Sequence, residues 1–200
     1  MRLAIAIALV GCAAAVPETH YYQLSLPVAA AASPNATATI TIAALDAQGP
    51  YDDDRMVYRQ DPYRLDYYPY RRWSSPPGTL IADYLADAFS RSGRFRAVLR
   101  DAGAPATLAL GGRVLAIEEV DQSRARSTAH VALQLDATDP ATGKLVWSAR
   151  YDDREPMSAE SADGLARALS TAMARIAQRA EGDVARVAVT VTHGDRVGAR

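Results

Sequence analysis

The position of the chain's one cysteine constrains it more than any other feature. Met1-Arg2 gives a small positive start, residues 3–10 are apolar without interruption, and the small residue Gly11 directly precedes Cys12. Positive, apolar and small-residue regions in that order make an export signal, far too short to cross a bilayer as a helix. An exported chain with a single cysteine has no internal disulfide. Whatever follows the signal must therefore be held by packing alone.

The material for packing is present. Beyond residue 11 the chain has 189 residues, 49% of the whole sequence is apolar, and the formal net charge is −1. One domain of ordinary size with a real core is the expectation. A balanced charge without a basic run argues against nucleic acid as a partner, because neutralising phosphates takes clustered Lys and Arg.

Leu9, Val10, Gly11 and Cys12 in that order resemble the lipobox of bacterial lipoproteins. The resemblance implies a diacylglycerol thioether on the Cys12 sulfur, removal of residues 1–11 and acylation, palmitate included, of the new amino end. Each buried methylene contributes ~0.8 kcal/mol, and stable anchoring takes more than one chain. A multiply acylated Cys12 would hold the protein on a membrane. Residues 12–18 then read as a lipidated tether, residues 19–182 as an α/β domain and residues 183–200 as a C-terminal tail.

Along the chain the hydrophobic period alternates between two and 3.6. Residues 20–26 and 37–42 read as strands, joined by an Ala- and Pro-rich connection without a period. Asp52-Asp53-Asp54 reads as a solvated turn and not a metal site, since neighbouring carboxylates in an extended chain point apart. Ser75 as cap and Pro76 at the first helical position open a helix. Its stripe is Leu80, Ile81, Tyr84, Leu85, Ala88 and Phe89, and Gly93 ends it. Residues 95–99, 107–119, 127–139 and 145–150 read as strands, with Gly111-Gly112 marking a bulge or a tight backbone contact. Ser161 starts a second helix with Leu165, Leu169, Met173 and Ile176 on one face. Residues 184–191 fit either its continuation or a loose strand. The fold class is α/β: a single domain with a mixed sheet of about five or more strands and two main helices packed on it.

No catalytic motif emerges. The sequence has neither a Gly-x-Ser-x-Gly elbow nor a glycine-rich phosphate loop, and His20, His130 and His193 lack companions at metal-ligand spacing. No metal or cofactor is expected, and His130 reads as a sheet residue. Glu118-Glu119, or Asp136 with Asp139, are the paired acids a hydrolase would need, although nothing in the pattern singles them out. Residues 51–73 stand apart, carrying six of the ten tyrosines, with five arginines interleaved with five aspartates. Tyr, Trp and Arg are favoured in protein–protein hot spots, and the balancing acids remove any net pull on a polyanion. Tyr58, Arg59, Tyr67, Tyr68, Arg72 and Trp73 are thus candidate partner or self-contact residues. Half-buried sheet aromatics and ligand stacking are the alternatives.

Several elements recur in a set order: the lipobox, Tyr21-Tyr22-x-Leu24, Met56-Val57-Tyr58-Arg59, Arg72-Trp73 before Pro76-Pro77, and Gly93-x-Phe95-x-x-Val98 after the helix. Together they resemble the ABC-type transport auxiliary lipoproteins, the PqiC-like group. The resemblance implies a non-catalytic lipoprotein of the outer membrane that faces the periplasm. It also implies an MCE-domain protein and ABC transporter components as lipid-transport partners, and a homo-oligomeric ring in some members. An envelope assembly or structural lipoprotein without a transporter is the alternative. The Tyr-rich insert over residues 61–70 departs from the group's pattern, so a partner surface there would belong to this branch.

Overall fold

The computed structural model describes residues 17–27, 32, 36–101, 103–121 and 127–198, the last six without side chains. Leu9, Val10, Gly11, Cys12, most of the connection before residue 36 and the His193 side chain lie outside the described residues. The first half of the chain gives β1 (His20–Tyr22), β2 (Thr39–Ile42), β3 (Asp46–Ala47), a 3-10 turn (Gly49–Tyr51), β4 (Arg55–Asp61) and β5 (Arg64–Trp73). Helix α1 (Pro77–Arg91) follows, then β6 (Ala97–Leu99), β7 (Leu108–Val120), β8 (Thr128–Thr138), β9 (Leu145–Pro156) and helix α2 (Ala162–Gly198).

All nine strands belong to one mixed sheet whose spine is β7. One edge of β7 is taken along its length by antiparallel β8, with β9 antiparallel outside that. The other edge is shared in line by three parallel segments: β2 against Leu108–Leu110, β3 against Arg113 and Val114, and β4 against Glu118–Val120. Residues 39–59 therefore behave as one interrupted strand. β6 extends the sheet beside β2, while β5 and then β1 extend it beside β4.

The first interruption is where α1 docks. Leu45 N donates to Gly78 O at 3.2 Å, and a Cβ on Gly78 would lie 2.0 Å from Leu45 O. Only glycine lets the helix start touch the strand backbone this closely. The start itself differs by one residue from the sequence reading: Pro76 is the cap, Pro77 the first helical residue, and no side chain caps. A residue before proline is pushed out of the helical region, which bars Pro76 from the helix and hands the first position to Pro77. At the other end Ser92 Oγ donates to Phe89 O at 2.8 Å and Gly93 takes the left-handed conformation, as its position predicts.

Both helices cover the same sheet face, Tyr84 OH donating to Ser170 O across them at 3.3 Å. They bury Leu108, Leu110 and Ile117 of β7 and Val131, Leu133 and Leu135 of β8. Ser161 Oγ accepts from Gly164 N at 3.1 Å and caps α2, whose expected stripe of Leu165, Leu169, Met173 and Ile176 is fully buried. The boundary expected at residue 182 has no counterpart. The stripe continues through Ala180, Val184 and Ala188, and Tyr151 OH donates to Asp183 Oδ2 at 2.6 Å, so α2 runs on to Gly198. The strand expected over residues 20–26 also ends early, at Tyr22. There the chain leaves the sheet, and Ser25 N donates to Ser170 Oγ at 3.0 Å on α2.

Two features govern the strands on the far side. Gly112 has φ +143°, and a Cβ there would lie 2.0 Å from Gln134 O, confirming the tight contact that its place in the strand suggests. On β9, Met157 N reaches Ser127 O of the chain entering β8, so alternation turns the carbonyls of Asp152 and Arg154 outward. α2 caps both: Arg179 donates to Asp152 O at 3.4 Å and Arg175 to Arg154 O at 3.0 Å.

Gly112→Ala is expected to destabilise the protein by about 3 kcal/mol, through strain and a forced backbone shift. Gly182→Ala, in open space on α2, is expected to stabilise it by about 1 kcal/mol through helix propensity. Denaturant melts of the two variants check the pair.

Candidate functional site

The six candidate contact residues fall on one hairpin, β4–β5, but not on one surface. Register pairs Val57 with Tyr67, Tyr58 with Asp66 and Arg59 with Leu65. Because side chains alternate along a strand, Tyr67 and Arg59 share the face away from the helices. Tyr58 and Tyr68 point to the helix side, their rings 5.0 Å apart. Trp73 corrects the sequence reading. It is 1% exposed, pinned where β5 lies between β1 and β4, and its indole packs in the core, so it offers no surface to a partner. Its Nε1 has no hydrogen-bond partner among the described residues.

The equal numbers of arginines and acids also have a structural explanation: most pair locally. Arg55 meets Asp53 at 3.0 Å, Arg64 meets Asp66 at 2.9 Å, and Arg72 bonds to Asp54. The aspartate triplet is thus the solvated turn expected of it, with Asp53 Oδ1 also accepting Arg55 N at 2.8 Å. The Arg55 guanidinium lies 3.7 Å from the Tyr67 ring centroid, a cation–π contact. Thr19, Arg55, Tyr67, Tyr68, Tyr70 and Arg72 line an open hollow of about 380 Å³ at this edge.

The hairpin is bolted to the rest of the sheet by a charge network on the helix-free face. At its centre is Glu118 of β7, 4% exposed. Arg59 Nε donates to both of its oxygens at 3.1 and 3.0 Å, and Tyr51 OH donates to Oε2 at 2.7 Å. His130, directly opposite on β8, places Nδ1 3.4 Å from Oε1 and Nε2 3.2 Å from Asp152 Oδ1 on β9. A neutral imidazole can donate at only one of those two carboxylates. Burial pushes the Glu118 carboxyl up, but hydrogen bonds from His130, Arg59 and Tyr51, with the Arg59 charge, outweigh it and bring it down to about 2. Tyr51 moves up, driven by burial and then by Glu118, and so remains a donor.

Glu119 faces the other way, towards the helices, where Tyr68 OH donates to it. The two adjacent acids therefore lie on opposite sides of the sheet and do not converge on a substrate. Asp136 accepts from Gln134 and Ser148, while Asp139 organises its turn through Thr142. His130 is a sheet residue, as expected, though with a structural task its sequence context does not reveal. His20 stands apart, exposed on β1. Among the described residues no group of His, Cys, Asp and Glu is arranged to hold a metal.

Glu118→Gln is expected to cost about 3–5 kcal/mol, because Arg59 loses the charge it is buried against. The pH dependence has a definite sign. A carboxyl lowered from 4.5 to about 2 on folding contributes stability that is complete above pH 4.5 and is lost as pH falls towards 2. The amount is on the order of 3 kcal/mol. Urea melts between pH 2 and 7 should show that slope in the native protein and a shallower one in Glu118→Gln.

No curated protein matches this sequence. Among solved structures, protein XCC0632 from Xanthomonas campestris superposes with a TM-score of 0.76 at 20% identity, over 87% of this chain and 99% of that one. An uncharacterized protein gives 0.66 at 12% identity, covering 84% of this chain and 99% of its own. The hypothetical protein CT253 from Chlamydia trachomatis gives 0.53 at 7%, covering 76% and 98%. At such identities these likenesses establish the fold alone. The family model for the ABC-type transport auxiliary lipoprotein component, however, matches residues 22–180, from the end of β1 well into α2. The chain belongs to the ABC-type transport auxiliary lipoprotein family.

Proposed function

We propose that the protein is a non-catalytic accessory lipoprotein of an MCE/ABC-type lipid transport system, anchored in the outer membrane through acylated Cys12 and facing the periplasm. The observation that carries the proposal is the family match over residues 22–180, combined with a lipobox cysteine ten residues upstream of it. Removal of residues 1–11 would leave Cys12 as the new amino end, joined to β1 by a short tether. Ala13 occupies the place after the acylated residue where an aspartate would mark retention in the inner membrane. This agrees with an outer-membrane address.

The geometry fits a part that docks and does not turn over substrate. The acids that a hydrolase would use are divided between two sheet faces, or bonded to Arg59, Tyr51 and Tyr68. What the β4–β5 hairpin offers a partner on the face away from the helices is the half-buried Tyr67 with Arg72 near it, while Tyr58 lies on the helix side. A second copy in a ring, or an MCE-domain protein, would meet the protein there.

Cys12→Ser is expected to move the protein from the membrane to the soluble fraction; a variant that stays on the membrane would contradict the anchor. Crosslinking the acylated protein in native membranes is expected to recover an MCE-domain protein together with its ATPase. Recovery of unrelated envelope components alone would favour a structural lipoprotein without a transporter.

A further inference from the structure

The hairpin that joins β4 to β5 ends in a built and unusually exposed tip. Residues 60–64 are all exposed, and Tyr63 reaches 97%. The tip is held in shape from within: Asp61 Oδ1 accepts Tyr63 N at 2.8 Å and Arg64 N at 2.9 Å. Its two cations are both paired, Arg64 with Asp66 and Arg59 with Glu118, and the Asp61 carboxylate is taken up by backbone N–H groups. An internally hydrogen-bonded turn thus presents one tyrosine ring to its surroundings, with almost no contact from the described residues.

The chain enters the domain from the side of that tip. β1 pairs with β5 in parallel, His20 beside Arg71 and Tyr22 beside Trp73. Followed backwards from His20, the chain therefore heads along β5 towards Arg64. Thr19 already lies with Tyr67, Tyr68 and Tyr70 around the hollow on that edge. Cys12 is eight residues before His20, and Tyr63 is eight residues before Arg71. An extended tether of that length spans about 26–29 Å, and the same stretch of strand rises about 26 Å. A tether of that length is therefore long enough to carry Cys12 as far as the level of Tyr63.

We infer that the β4–β5 tip is a membrane contact: Tyr63 inserts its ring among the headgroups of the bilayer that holds the Cys12 lipids. This inference rests on the lipid-anchor reading of Cys12. Tyrosine suits the task, with an apolar ring body and a hydroxyl that stays hydrated, and it is enriched at membrane interfaces for that reason. With Arg59 and Arg64 both committed to carboxylates, the contact does not draw on anionic lipid, so zwitterionic phosphatidylcholine is a sufficient surface. Two supports, tether and tip, fix which end of the sheet faces the bilayer. The β8–β9 turn at residues 139–144, at the opposite end of β7, then points away from it.

The test uses the full-length acylated protein on phosphatidylcholine vesicles, exploiting the absence of any other free thiol once Cys12 is acylated. A fluorophore is attached at Tyr63→Cys or, as the opposite-end control, at Ala141→Cys. Vesicles carrying headgroup spin-labelled lipid are expected to quench emission at position 63 and leave position 141 unchanged, at low and high salt alike. Protein that floats with the vesicles yet shows no quenching at position 63 overturns the contact while leaving the anchor standing, and gives the tip to a protein partner. Equal quenching at both positions also overturns it. If Cys12→Ser, labelled at the same sites, floats as well as the parent, the anchor reading falls and the contact argued from it falls too.

Discussion

A carboxylate buried inside a sheet cannot be left alone, and Glu118 sets the terms for the region around it. Desolvation would make it protonate or destabilise the fold by several kcal/mol. The fold instead brings Arg59 from β4, Tyr51 from the 3-10 turn and His130 from β8 to its two oxygens. Each of those side chains fixes the element that carries it. Arg59 holds the hairpin in register against β7, and Tyr51 folds the turn down over the helix-free face. His130 passes the connection outward to β9 through Asp152. The network spans five elements: β4, the 3-10 turn, β7, β8 and β9. That gives the polar side of the sheet an order which the helix side obtains from hydrophobic burial.

How legible was this in the sequence? The helices were, because their stripes are long and their ends carry chemistry: Ser161 caps α2, and Gly93 closes α1. The long strands around β7 were legible from their period. Local pattern fell short in two places where a tertiary partner decides. The segment after Tyr22 alternates like a strand but leaves the sheet for α2. The chain past Gly182 fits a helix or a loose strand until Tyr151 and the buried Val184 and Ala188 hold it in the helix. The Glu118 network was invisible for a different reason. Its members come from residues 51, 59, 118, 130 and 152, and only the pairing of β4, β7, β8 and β9 makes them neighbours. The one hint was two adjacent acids inside an apolar strand, between Ile117 and Val120. That pattern shows that a partner is required without showing which.

The Tyr-rich stretch is intermediate. Composition alone suggests a binding surface, and position along the β4–β5 hairpin sorts its aromatics into three environments. Trp73 is core, Tyr68 is a donor to a buried acid, and Tyr63 stands free at the tip. A count of aromatic residues does not distinguish these situations; strand parity and distance from the sheet centre do. Family membership fixes the frame that carries the hairpin, whereas the hairpin's surface is where this chain can differ from its relatives.

The arginines of α2 that cap the outer carbonyls of β9 matter most for a protein held on a surface. Tethering confines molecules to two dimensions, where neighbours meet far more often than in solution and long bare strand edges would zip together. With Asp152 O and Arg154 O already occupied by Arg179 and Arg175, the second half of β9 cannot accept a neighbour's strand without first surrendering those bonds. Crowded copies can therefore slide past one another on that flank without nucleating a fibril. Ordered assembly is left to surfaces made of side chains, whose contacts, unlike backbone ladders, can be selective.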